Sequence, residues 1–152
     1  MAIQHKDIVD PDIHELKGVA TAANGSFAKA NNGVTVWAFD EDFIDVDITS
    51  LNTAADYHII MPHAGTVIKA YSVIDAPIGT NNTTITMSTG GIAMINGTIT
   101  IPFAGSAAGQ VNSCTPTGGN SVAQGAAIKL AVNGTSTGAT RCHVSIIFLR
   151  TA

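Results

Sequence analysis

TTITMSTGGIAMINGTITIPF, residues Thr83–Phe103, is the stretch that decides the fold class. It reads as three short apolar-alternating runs, TTITMS, IAMI and TITIPF, separated by Gly90-Gly91 and Asn96-Gly97. Alternation with period two puts one face of a strand toward a core and the other toward solvent. Asn-Gly between two such runs predicts a tight hairpin, because both residues tolerate positive φ. The same grammar extends outward in both directions. VTVWAF (Val34–Phe39) alternates, and FIDVDI (Phe43–Ile48) alternates strictly, with Phe43, Asp45 and Asp47 opposite Ile44, Val46 and Ile48. DYHIIM (Asp56–Met61) ends at Pro62, and the β-branched TVIKAYSVI (Thr66–Ile74) ends before Pro77-Ile78-Gly79. After a Gly/Ser/Thr/Asn-rich stretch at Ala104–Gly125 come AIKLAV (Ala127–Val132), the loop NGTSTGAT, and RCHVSIIFLR (Arg141–Arg150).

These runs predict about nine strands and no helix of three turns or more. Turn signals every ~8–12 residues point to an all-β sandwich or barrel. Eight body strands suit a jelly roll, in which each sheet buries one face against the other. The expected core is Trp37, Phe39, Ile44, Val46, Ile48, Ile60, Val67, Ile68, Tyr71, Val73, Ile99, Ile101, Phe103, Ile128, Leu130, Val144, Ile146 and Phe148.

Residues 1–33 differ from this body. They hold Asp10-Pro11 and the Ala/Asn/Gly-rich VATAANGSFAKANNG, with no persistent apolar period. One helical turn at Asp12–Leu16 fits there, with Asp10 at its cap and Pro11 in its first position. The expectation is an extended arm over 1–33, ordered by contact with a partner, followed by a β-sandwich body over 34–152.

Charge narrows the function. The chain has 152 residues, 45% hydrophobic but only 12% charged, with net charge −4. Globular proteins average about 25% charged. No Asp or Glu follows Asp75, and residues 76–152 carry only Lys129, Arg141 and Arg150. A free-living surface ordinarily mixes both signs, so this half of the molecule suggests a surface that lies against protein. No basic stripe is available for phosphates, which argues against nucleic-acid binding. No run approaches the length of a membrane span, and the start MAIQHKDIVDPDIHELKG lacks the apolar core of a signal peptide. The expectation is synthesis in a cytoplasm, with no membrane partner. Cys114 and Cys142 are the only cysteines and read as small, partly buried hydrophobes rather than a zinc pair or a disulfide.

Residue chemistry offers little to an enzyme. P-loop and H-E-x-x-H motifs are absent, and the G-x-S-x-G spacing of GTSTG (Gly134–Gly138) lies in a loop between two strand runs rather than in a strand-to-helix turn. Cys142 and His143 are strand neighbours whose side chains point to opposite faces. His58 and His63, five apart with Pro62 between, read as a strand His and a turn His, and His143 as structural. The acids Asp40, Glu41, Asp42, Asp45 and Asp47 lack the glycine and spacing of a calcium loop. Asp45 and Asp47 mark the solvent face of a strand and deter edge pairing. The expectation is no catalytic residue, no metal and no cofactor.

Two segments carry a resemblance. DPDIHELKGVATAANGSFAKANNGVTVW (Asp10–Trp37) resembles the amino-terminal segment of small virion proteins of tailed bacteriophages, whose I-H-E-x-K-G core is matched by Ile13, His14, Glu15, Lys17 and Gly18. TPTGGNSVAQGAAIKLAVNGTSTGATRCHVSIIFLR (Thr115–Arg150) is similar to their x-V-x-x-G-D-x-I-x-x-x-x-x-G-x-S-T pattern through Val122, Gly125, Ile128, Gly134, Ser136 and Thr137. Ala126 stands where the pattern has an acid. The resemblance implies a head decoration (cement) protein, located on the capsid surface of the virion. Its partners would be the major capsid protein and two further copies of itself, a homotrimer. It implies a capsid-binding arm carrying Asp10, Pro11, Asp12, Ile13, His14, Glu15, Lys17 and Gly18. Charge-poor Thr/Ala/Gly surfaces are the expected trimer seam. The alternative is a tail or head-fibre component binding a host surface glycan through the loops at Gly79–Asn82, Gly105–Asn120 or Asn133–Thr140. A metal enzyme built on His58, His63 and the Asp40–Asp47 carboxylates ranks behind both.

Overall fold

The computed structural model describes residues 26–31, 34–39 and 41–151, and these hold eleven strands and no helix. They fall into two units. One contains an antiparallel hairpin of β1 (Ser26–Asn31) and β2 (Val34–Phe39), registered from Ser26 opposite Phe39 to Asn31 opposite Val34. The division expected between residues 33 and 34 lies between β1 and β2. The arm residues Asp10, Pro11, Asp12, Ile13, His14, Glu15, Lys17 and Gly18, the turn expected at Asp12–Leu16, and the side chains of Trp37 and Phe39 lie outside the described residues.

The second unit, Glu41–Thr151, is a β-sandwich. Its strands are β3 (Glu41–Ile48), β4 (Ala55–Ile60), β5 (Gly65–Ile74), β6 (Thr83–Thr89), β7 (Ile92–Ile101), β8 (Val111–Cys114), β9 (Ser121–Val122), β10 (Ala127–Val132) and β11 (Cys142–Arg150). One sheet has the order β4-β10-β6-β7. The other runs β3-β11-β5-β8, with β9 also paired to β5. Every pairing is antiparallel. Within this unit only β6 and β7 are consecutive in the chain and neighbours in a sheet, and six of the eight connections cross between the layers.

The inward positions of both sheets make one core. Ile48, Leu51, Met61, Ile85, Met87, Ile99, Ile101, Ile128, Leu130, Val144, Ile146 and Phe148 are fully buried. Each large aliphatic or aromatic side chain removed from water contributes ~1.5–3 kcal/mol. Phe148 fills the end of β11, where a Cβ on Gly65 would come within 2.8 Å of both its ring and the Leu149 carbonyl oxygen. Glycine lets β5 pass that close.

Three expectations are corrected. Asn96-Gly97 is not a hairpin turn. Gly90-Gly91, with φ of 56° and 81°, turns the chain between β6 and β7, and positive φ at both positions is what a two-residue hairpin needs. The runs IAMI and TITI are then one strand, β7, with a large bulge. Thr98 pairs with Thr86 and Ala93 with Ser88, so residues 94–97 stand against Met87 alone. Asn96 uses its positive φ of 56° there. Ile95 exchanges its backbone bonds with Gly118 O and Thr117 N instead, at 2.8 and 2.9 Å.

The second correction concerns β5. Ile147 pairs with Lys69 and Phe148 with Val67, so Ile68 is an extra residue. A bulge reverses the phase of everything beyond it. Val67 points inward, but Ala70, Ser72 and Ile74 take the inward places thereafter. Ile68, Tyr71 and Val73, expected in the core, are half-buried on the outer face.

Finally, Ile60 and Phe103 are 61% and 45% exposed. Ile60 follows the inward Ile59 on edge strand β4, and Phe103 lies past the end of β7, beyond Pro102.

Candidate functional site: the outer face of the five-stranded sheet

Strand alternation and register together specify what the outer face of the β3-β11-β5-β8 sheet presents. Across the strands, one row reads Asp47, His143, Val73, Val111. The next reads Asp45, Ser145, Tyr71, Ser113. A third reads Phe43, Ile147, Lys69. Phe43 and Val111 are 66% and 60% exposed. Two shallow depressions flank Ser145: one of about 280 Å³ among Glu41, Asp42, Phe43 and Ile147, the other of about 170 Å³ among Tyr71, Val73, Val111 and His143.

The polar side of this face is organised around His143. Its Nδ1 lies 2.9 Å from Asp47 Oδ1 and its Nε2 lies 3.5 Å from Asp45 Oδ1. The Ser145 hydroxyl donates to the same Asp45 oxygen. Both ring nitrogens therefore face carboxylates, which only the imidazolium can serve as a double donor. The Asp47 hydrogen bond, reinforced by the charge of both acids, raises the His143 pKa above its ordinary value. On the far side of the face, Lys69 Nζ sits 4.8 Å above the Tyr71 ring, a cation–π distance.

The opposite outer face differs in kind. On the β4-β10-β6-β7 sheet, Thr84 pairs with Thr100 and Thr86 with Thr98, and the last two hydroxyls are 3.2 Å apart. Ala127, Lys129 and Ala131 complete it, with Lys129 3.3 Å from Asp56. Its centre is hydroxyl and methyl, while Ile60 is exposed on the β4 edge and Ile92 and Ile95 on the β7 edge.

The residues that the sequence singled out are distributed as follows. His58 is exposed on β4 opposite Lys129, and His63 lies in the following turn, its Nδ1 3.5 Å from Arg150 Nη2. Among the described residues, no three His, Cys, Asp or Glu side chains are grouped to hold a metal. Asp45 and Asp47 are exposed on an edge strand, as expected. His143 is exposed, and its partnership with Asp47 across 96 residues of chain is the feature sequence reasoning missed. Its only sequence signal is that it occupies an outward position of the last strand. Cys114 and Cys142 are both buried free thiols, and desolvation pushes them up to about 11 and about 12.

The carboxy-terminal motif residues hold the fold together. Val122 and Ile128 are core residues, and Gly125 donates to Met61 O at 2.9 Å with a φ of 76°. Gly134, at φ 67°, lies so close to Ala54 that a Cβ would overlap its amide nitrogen. Thr137 and Gly79 exchange two backbone hydrogen bonds at 3.1 and 3.2 Å.

No family model matches the chain, and no curated protein matches it. Among solved structures it is similar to a chain of the cyanophage Pam1 capsid asymmetric unit, with a TM-score of 0.49 and 16% identity over 85% of this chain and 89% of that one. It is also similar to the Eiger TNF of S. frugiperda, with a TM-score of 0.37 and 11% identity over 76% of this chain and 95% of that one.

Proposed function

We propose that this chain is a structural, non-enzymatic protein of a tailed-phage particle that decorates the outside of the head and stabilises it as a homotrimer. The observation that carries this reading is the contrast between the two outer faces of the sandwich. One is threonine and alanine at its centre, with the exposed Ile60 at its β4 edge. The other sets Phe43, Tyr71, Val73, Val111 and Ile147 in a contiguous field, on a chain whose second half has no acid to keep it apart from its neighbours. Contiguous apolar surface on a small soluble body marks a protein-contact site. The crossing of six of the eight connections between layers supports a jelly-roll winding for the body.

Residues 1–33 would serve as the capsid-binding arm, with Asp10, Pro11, Asp12, Ile13, His14, Glu15, Lys17 and Gly18 as its docking segment. Three linked arms meeting a symmetric lattice raise the effective concentration of each, so weak single contacts sum to firm attachment. The major capsid protein is the partner this requires.

The test is removal of residues 1–25, which leaves the β1–β2 hairpin whole. The expected result is an unchanged oligomeric mass with loss of capsid occupancy. Undiminished capsid binding by the shortened chain would overturn the assignment of the arm.

A further inference from the structure

We propose that the outer face of the five-stranded sheet is the seam between copies of this chain, three such faces turned inward about a three-fold axis running along their strands. The inference rests on the trimeric reading above and moves the seam from the Thr/Ala surfaces to this face.

The occupant follows from how charge is laid out. Glu41, Asp45 and Asp47 lie along β3, at one margin of the face. Lys69, half-buried over Tyr71, lies on β5 toward the other margin, and the outward positions of β11, β5 and β8 carry no acid. The strip between holds Ile147, Tyr71, Val73 and Val111. When three faces close around an axis parallel to their strands, the β3 margin of each copy meets the β5–β8 margin of the next. Acids then lie against Lys69, and the contact is heterologous but closes as a ring. A two-fold arrangement that set β3 against β3 would put three acids of one copy against three of the other, which costs several kcal/mol. The face therefore selects a copy of itself, in one relative orientation.

Size and relief agree with this. Four strands about 4.8 Å apart, with β11 nine residues long at ~3.4 Å per residue, span about 19 by 30 Å. That is ~570 Å² per copy in projection and ~1,700 Å² over the three inward faces; each contact of ~570 Å² falls short of the ~1,000 Å² of a stable pair, so the copies hold as a closed ring and not as a dimer. Phe43 and Val111 stand proud at the two margins, and the depressions beside Ser145 are the places a neighbour's side chains can enter.

Native mass spectrometry of the full chain tests the seam. The wild type is expected as a trimer. Phe43→Glu with Val111→Glu, both at exposed positions, is expected to weaken it by about 30-fold or more while keeping a β-type circular dichroism spectrum. Thr86→Glu with Thr98→Glu, on the other sheet, is expected to leave the trimer intact. Should the first variant fail to fold, charge reversal decides: Lys69→Glu loosens the trimer, and adding Asp45→Lys and Asp47→Lys restores it. A wild-type trimer indifferent to both sets of face variants overturns the seam and leaves the decoration reading standing. A monomeric wild type overturns the seam and the trimer together, while capsid occupancy still judges the decoration role separately.

Discussion

Asp47 on β3 and His143 on β11 are directly opposed partners in the sheet, and Asp47 Oδ1 accepts from His143 Nδ1 at 2.9 Å. The bond raises the histidine pKa in the folded chain. A group whose pKa is raised on folding contributes its full stabilisation below its unfolded value, near 6.5, and loses it as pH rises through the folded value. Both side chains are substantially exposed, so screening holds the contribution to ~0.2–1 kcal/mol. Thermal melts of the wild type and His143→Gln should therefore differ most below pH 6.5 and converge toward pH 8. A difference that grows with pH would contradict the assigned pairing.

The phase reversal in β5 makes opposite demands on two neighbouring residues. Ala70 is fully buried, so Ala70→Val overpacks the core and should cost ~1–3 kcal/mol. Val73 faces outward, so Val73→Thr should cost no more than ~0.5 kcal/mol in urea unfolding. Unbroken alternation from Thr66 would require the reverse ranking.

Two glycines in the loop between β10 and β11 separate steric from conformational need. Gly134 has both a positive φ and an Ala54 amide against its α-carbon, so Gly134→Ala should cost roughly 3 kcal/mol. Gly138, at φ 90° with open space around it, should cost only ~1 kcal/mol on the same change. Urea midpoints of the two variants measure the difference directly.

The thiols provide a folding probe. With the Cys114 thiol pushed to about 11 by burial, roughly one molecule in a thousand carries its thiolate at pH 8, and Cys142 carries less. Native protein should leave both unlabelled by a thiol reagent on the timescale that labels both in urea. Rapid labelling of the native chain would show that the β8 or β11 end of the core is open.

How much of this the sequence disclosed depends on the range of the interaction. Alternation in FIDVDI and AIKLAV located strands β3 and β10, because period two is local and needs no partner. It failed in TVIKAYSVI, where the extra residue Ile68 is imposed by the match to β11 and leaves no mark on β5 itself. Asn96-Gly97 did supply a positive φ, but the hairpin formed at Gly90-Gly91, where two glycines turn in two residues. The outer face was least legible. Phe43, Tyr71, His143 and Val111 come from four strands, and only the β3-β11-β5-β8 order brings them together. That order depends on pairings between residues ~100 positions apart in the chain, which composition and spacing do not record.

The account stands or falls on whether this 15.5 kDa chain belongs to a particle. The most direct measurement is quantitative protein analysis of intact, gradient-purified virions of a phage whose genome carries this sequence. The account predicts the chain on full heads in a fixed ratio to the major capsid protein, three copies per occupied site, with heads lacking it rupturing at lower temperature. Intact, normally stable virions from which the chain is absent would contradict it.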